Sequence, residues 1–129
     1  MKISHLTATA LALALATLIL PVAASAQSAY PCATVKLISP YPPGGTTDIL
    51  ARLLQPGLGR ALGTAVIVEN KAGASSNIGT EYVATSAPDG CTLLLGNNTG
   101  VAINRNLYKL RVDPVQGLAP IGAVASVPL

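Results

Sequence analysis

The chain is predicted to be an α/β fold, a parallel sheet with flanking helices, and three observations carry that prediction. Short apolar runs rich in Val, Ile, Leu and Thr recur at Thr34–Ser39, 65–69 and 92–95, the pattern of buried strands. Between them lie stretches with apolar residues at helical spacing, at 47–62 and about 77–86. The links are short, and strand–helix–strand–helix–strand with short links specifies right-handed βαβ crossovers and parallel pairing.

The elements follow in order. Lys2 and the apolar run 6–22, ending in Ala24-Ser25-Ala26, read as an export signal over residues 1–26, removed at a small-residue site. A membrane anchor is the rival reading, disfavoured by the Ala/Thr content and the Ala-x-Ala end. No lipobox precedes Cys32, which follows Ala29-Tyr30-Pro31. The first strand, Thr34–Ser39, is mostly buried. In the helix at 47–62, Ile49, Leu50, Leu53, Leu54, Leu58, Ala61 and Leu62 make one apolar face. Pro56-Gly57 is expected to kink or split this helix, and Gly63 to close it. The second strand, 65–69, is continuously apolar and β-branched, as for a strand covered on both faces. A loop over 70–76 leads to the second helix, Pro88-Asp89-Gly90 is a turn signal, and 92–95 is the third strand. The polar loop 96–100 runs into a short helical or irregular stretch to Tyr108. The apolar end, about 119–127, is a candidate fourth strand.

Composition excludes several functions. The chain has 129 residues and a formal charge of +3, with its Lys and Arg scattered and no Trp or Phe. That gives neither a nucleic-acid footprint, nor stacking platforms, nor a basic membrane patch. The single histidine, His5, lies in the leader, so the mature chain has no His-based triad, general base or zinc site. Asp48, Glu69, Glu81, Asp89 and Asp113 stand singly and offer no acid/base pair. No phosphate-loop, dinucleotide or nucleophile-elbow motif is present. The expectation is a non-enzyme with no cofactor and no metal. Two cysteines in an exported chain suggest one disulfide.

The richest segment is 37–50. An apolar strand runs through Pro42-Pro43 and Gly44-Gly45 into Thr46-Thr47-Asp48 at the start of a helix. Such a start exposes backbone N–H groups and the positive end of the helix dipole, and so favours anions. In parallel α/β sheets ligands bind beyond the carboxyl ends of the strands, where the loops 40–48, 70–77 and 96–100 share one rim. Gly44 and Gly45 let a ligand oxygen approach the main chain, and Pro43 stiffens the approach. Thr46 or Thr47 either caps the helix or donates a hydroxyl. Ser75, Ser76 and Asn77 can donate to the far end of an elongated ligand, with Ser76 or Asn77 as a plain N-cap of the second helix the alternative. Asn97, Asn98 and Thr99 are neutral donors or ordinary turn residues. Tyr41 walls the pocket or packs at the end of its strand. Asp48 would repel a ligand carboxylate, so it is assigned to structural support.

These residues carry a family resemblance. The segments 39–52 (Ser39-Pro40-Tyr41-Pro42-Pro43-Gly44-Gly45-Thr46-Thr47-Asp48 and the four that follow), 66–74, Asn77-Ile78-Gly79, Ala87-Pro88-Asp89-Gly90, Thr92-Leu93-Leu94-Leu95-Gly96, Ala102-Ile103-Asn104 and Leu107-Tyr108 keep the order seen in the Bug/TctC family. These are periplasmic solute-binding proteins of tripartite tricarboxylate transporters. Ser76 departs from the family where glycine is common, and Cys91 where tyrosine usually stands. The resemblance implies a two-lobed type II periplasmic binding protein, of which 27–129 would be part of the N-terminal lobe, with the second lobe absent. It implies that the 40–48 loop grips a carboxylate: a di- or tricarboxylate, an acidic amino acid or an aromatic acid. It also implies a periplasmic location without a membrane anchor after cleavage, and no nucleic-acid partner. The expected partners are the transporter's membrane subunits or a sensor kinase. The alternative is a truncated, non-binding remnant or an interaction-only lobe. If the first and third strands are neighbours, as in that fold, Cys32 and Cys91 lie at the sheet end away from the ligand and can pair.

Overall fold

A computed structural model describes residues 30–126. The export signal expected over 1–26 lies outside the described residues.

Three strands, β1 (Thr34–Ser39), β2 (Ala65–Asn70) and β3 (Thr92–Leu94), form one parallel sheet in the order β2-β1-β3. Thr34 lies opposite Ala65, and Lys36 opposite both Ile67 and Thr92. Helix α1 (Thr46–Leu62) links β1 to β2. A tight turn (Ala74–Ser76) and α2 (Asn77–Ala84) link β2 to β3. The chain then enters a π-helical turn (Thr99–Ile103) that runs into α3 (Asn104–Leu107), and a last short helix α4 (Pro114–Gly117) follows. The first crossover moves from β1 to one side and the second returns past β1 to the other. Right-handedness of both therefore puts α1 and α2 on opposite faces. The loops leaving β1 and β3 diverge, which opens a crevice at their carboxyl ends.

The core explains which residues are hidden. Val35, Leu37, Ala51 and Val66 form a buried cluster, with Leu58, Leu62, Val68, Leu93 and Leu95 packed around it. Central β1 is buried on both faces, Ile38 included. Edge strand β2 is not. Ala65 is exposed and Ile67 is 40% exposed, because α2 packs on β1 and β3 and leaves that face of β2 open. The continuous apolar run therefore misreads an edge strand as an enclosed one.

Helix α1 differs from expectation in two ways. It runs unbroken through Pro56. The carbonyl that proline leaves unbonded belongs to Arg52, and both residues are exposed, so water can satisfy it. The packed stripe is also rotated: Ala51, Leu54, Leu58 and Leu62 face inward, whereas Ile49 and Leu53 are 51% and 69% exposed and Ala61 is exposed too. Burial of Asp48 fixes that rotation, since Asp48 and Ala51 are the two buried residues of the helix. Gly63 closes α1 in the left-handed region at φ 66°, its N–H donating to the Gly59 carbonyl.

Helix α2 ends at Ala84, short of the expected limit, where the hydroxyls of Thr85 and Ser86 donate to the carbonyls of Glu81 (2.8 Å) and Tyr82 (2.7 Å). Residues 119–126 form no strand and are exposed, Ile121 at 84%. An apolar run becomes a strand only beside a ladder partner, and none reaches it among the described residues. Cys32, just before β1, and Cys91, just before β3, are joined as a disulfide with their Cα atoms 5.9 Å apart. They sit at the amino ends of the strands, opposite the crevice.

Candidate functional site

An open cleft of about 360 Å³ lies at the carboxyl end of the sheet, lined by Tyr41, Pro42, Gly45, Thr46, Thr47 and Asn97. Gly44 turns the chain at φ +83°, and Gly45 is the residue before the first turn of α1. No side chain caps that turn. Neither Thr46 nor Thr47 is the cap that their position suggested. They occupy the first two helical positions and face the cleft, so the positive helix terminus opens onto it.

Asp48 sits directly behind this wall, buried to 3% exposure. Its carboxylate accepts from Arg52 Nε (3.0 Å), Gly44 N (2.9 Å) and Asn70 Nδ2 (2.9 Å). The Arg52 guanidinium first, then the Gly44 N–H and the Asn70 amide, hold this carboxyl down at about 2. Its charge is thus matched by Arg52 and does not oppose an anion at the helix start. The same Asn70 amide donates to the Tyr41 carbonyl at 3.0 Å, which ties β2 to the loop. Gly44 N–H is committed to Asp48, and Pro43 and Gly44 lie exposed on the loop without lining the cleft.

The second loop behaves differently from expectation. Ser76 and Asn77 are 2% and 6% exposed, and Asn77 Oδ1 accepts from Asn104 Nδ2 at 2.6 Å. Burial withdraws both from the rim. Ser75 is exposed and its hydroxyl meets the Tyr108 hydroxyl at 3.1 Å. Ala74, Ser75 and Ser76 are all left-handed, at φ 45°, 55° and 75°, an unusual run for residues with a Cβ. Ser76 Oγ is also buried without a partner. Ser76→Gly is therefore expected to stabilise the protein by about 1 kcal/mol, since it removes the left-handed penalty and an unsatisfied hydroxyl against the entropy glycine adds to the unfolded chain. A urea midpoint that rises at constant slope is the expected reading, and a fall would refute this account.

In the third loop, Asn97 alone of the three expected residues lines the cleft. Its Oδ1 accepts from Thr99 N (3.1 Å) and Gly100 N (3.4 Å), so it caps the following helical stretch while facing Tyr41. Asn98 is exposed, and Thr99 contributes its backbone to that cap. Asn70, Arg52 and Asn104 were not singled out from sequence. Asn104 is 1% exposed and donates to the Ser75 carbonyl at 2.7 Å, holding the left-handed turn. Its one sequence signal is a lone amide following Ala102-Ile103.

Comparison with known proteins places this geometry. Residues 50–129 match the family described as tripartite tricarboxylate transporter family receptor. A UPF0065 protein of Bordetella pertussis is 41% identical over 118 residues, covering 88% of this chain and 36% of its own length. Protein BugT of the same organism is 41% identical over 102 residues, covering 78% and 31%. A solved structure described as a periplasmic transporter superposes with a TM-score of 0.62 at 39% identity, covering 67% of this chain and 30% of that one. The chain spans about a third of the length of the curated relatives it matches. With the α/β lobe, its crevice and these matches in agreement, the chain belongs to the TctC family of tripartite tricarboxylate transporter receptors.

Proposed function

We propose that the cleft between the β1–α1 loop and Asn97 receives a carboxylate group of a small solute, and that the protein works as a periplasmic receptor handing that solute to a tripartite transporter. The observation that carries this reading is the start of α1. It is free of any side-chain cap, flanked by the Thr46 and Thr47 side chains, and opens into the cleft. An anion there meets unpaired N–H groups and the helix dipole, with the nearest negative charge already matched by Arg52. Membership of a tricarboxylate receptor family supports the same class of ligand. Residues 1–26 would direct export, and 27–129 would contribute the N-terminal lobe of a two-lobed binding protein.

One wall of contacts supports only weak binding by this chain alone, a dissociation constant on the order of 1 mM, or about −4 kcal/mol. Isothermal calorimetry against di- and tricarboxylates, acidic amino acids and aromatic acids measures it. Binding of at least one carboxylate that is lost on Thr46→Val/Thr47→Val substitution is the expected result. Silence across the panel would sink binding by this chain.

A further inference from the structure

Three donors converge on one atom at the edge of the cleft. Asn97 Oδ1 accepts from the Tyr41 hydroxyl at 2.9 Å, from Thr99 N at 3.1 Å and, over a longer contact, from Gly100 N at 3.4 Å. A backbone N–H can be answered only by an acceptor, so Thr99 and Gly100 fix which end of the amide is oxygen. Tyr41 must then be the donor in its own bond, since an amide oxygen has no proton to give. Two consequences follow. The Tyr41 hydroxyl has committed its proton and cannot donate it to a ligand. The Asn97 Nδ2 group, with two N–H bonds, has no hydrogen-bond partner among the described residues, and Asn97 is one of the residues lining the cleft.

We propose that Asn97 is the specificity-determining donor of the cleft and that Tyr41 is its positioning residue. The inference rests on the carboxylate reading of the cleft and extends it. With one carboxylate at the start of α1, Nδ2 receives an acceptor oxygen at the ligand's other end, and the compounds favoured carry a second carboxylate there. A terminal ammonium is disfavoured, because Nδ2 offers hydrogens where the ammonium needs a lone pair.

Succinate and β-alanine have the same two-carbon spacer and differ in that end group, so they serve as the probes. The wild-type chain is expected to prefer succinate at least tenfold by calorimetry. Asn97→Asp keeps acceptors for Thr99, Gly100 and Tyr41 but replaces the two N–H donors with an anionic oxygen. It should lose at least tenfold for succinate and invert the preference toward β-alanine. Tyr41→Phe should weaken succinate severalfold, and it should shift the Asn97 side-chain amide resonances in a ¹⁵N spectrum, because one of the three hydrogen bonds to Oδ1 is lost. If wild type binds succinate and Asn97→Asp binds it equally well, the specificity role is overturned while the carboxylate reading stands. If wild type binds neither compound, the specificity role falls, and the carboxylate reading falls with it only when the wider carboxylate panel is silent too. Unchanged Asn97 amide resonances in Tyr41→Phe overturn the positioning role.

Discussion

Gly79→Ala should destabilise the protein by about 3 kcal/mol, the largest effect expected of any single methyl group here. A Cβ at this position would lie 2.7 Å from Pro40 Cβ, 2.8 Å from Pro40 Cα and 2.8 Å from the Lys71 carbonyl oxygen. Two of these three atoms are backbone, so no rotamer change relieves the clash. The first turn of α2 would have to back away from the end of β1 and from the loop after β2, the two segments that hold the cleft's Tyr41 wall. Loss of carboxylate binding should accompany the loss of stability. Gly57→Ala is the matched control. It lies inside α1 with nothing within 4 Å of the added Cβ, and alanine there should stabilise by about 0.5–1 kcal/mol. Urea denaturation of the two variants measures both. A Gly79→Ala protein as stable as wild type would show that α2 does not press on β1 as described.

Asp48→Asn should be the next most damaging change, and it should alter the acid limb of the stability curve. The wild-type carboxylate accepts from Arg52, Gly44 and Asn70 at once, whereas an amide turns a donor toward at least one of them. The folded carboxyl is held at about 2, against 3.8 for the unperturbed group. Between those values the unfolded chain binds more protons than the folded one, so stability rises with pH through this window. The contribution is complete above about pH 5 and is lost as pH falls from about 4 toward 2. Urea midpoints measured from pH 2 to 6 should show this step in wild type and lack it in Asp48→Asn. An Asp48 titration by NMR centred near 3.8 would refute the network.

Much of the architecture was legible because it rests on local patterns. The Thr34–Ser39 run, the helical spacing of 47–62 and the turn at Pro88-Asp89-Gly90 each act within a few residues, and together they dictate alternating parallel strands and crossover helices. Handedness then places the rim, so the β1–α1 loop and Asn97 could be assigned to one end of the sheet. The misreadings have a common cause. Apolar content at Ile49, Leu53 and Ile67 says that a residue can be buried, but only the neighbouring element decides whether it is. Ser76 and Asn77 lie off the rim for the complementary reason: polarity suggested exposure, but both are buried, and Asn77 accepts from Asn104, twenty-seven positions further on.

The α/β class, the glycine-rich loop at the start of α1 and the family resemblance were legible in the residues alone, because turn chemistry, periodicity and ordered motifs are written in neighbouring positions. Which donors remain free came from the folded arrangement. Gly44 N–H goes to Asp48, the Tyr41 hydroxyl gives its proton to Asn97 Oδ1, and Asn104 Nδ2 goes to Asn77 Oδ1. A hydrogen-bond donor can serve a ligand only if no closer acceptor claims it, and those acceptors come from elements up to 56 residues apart in sequence.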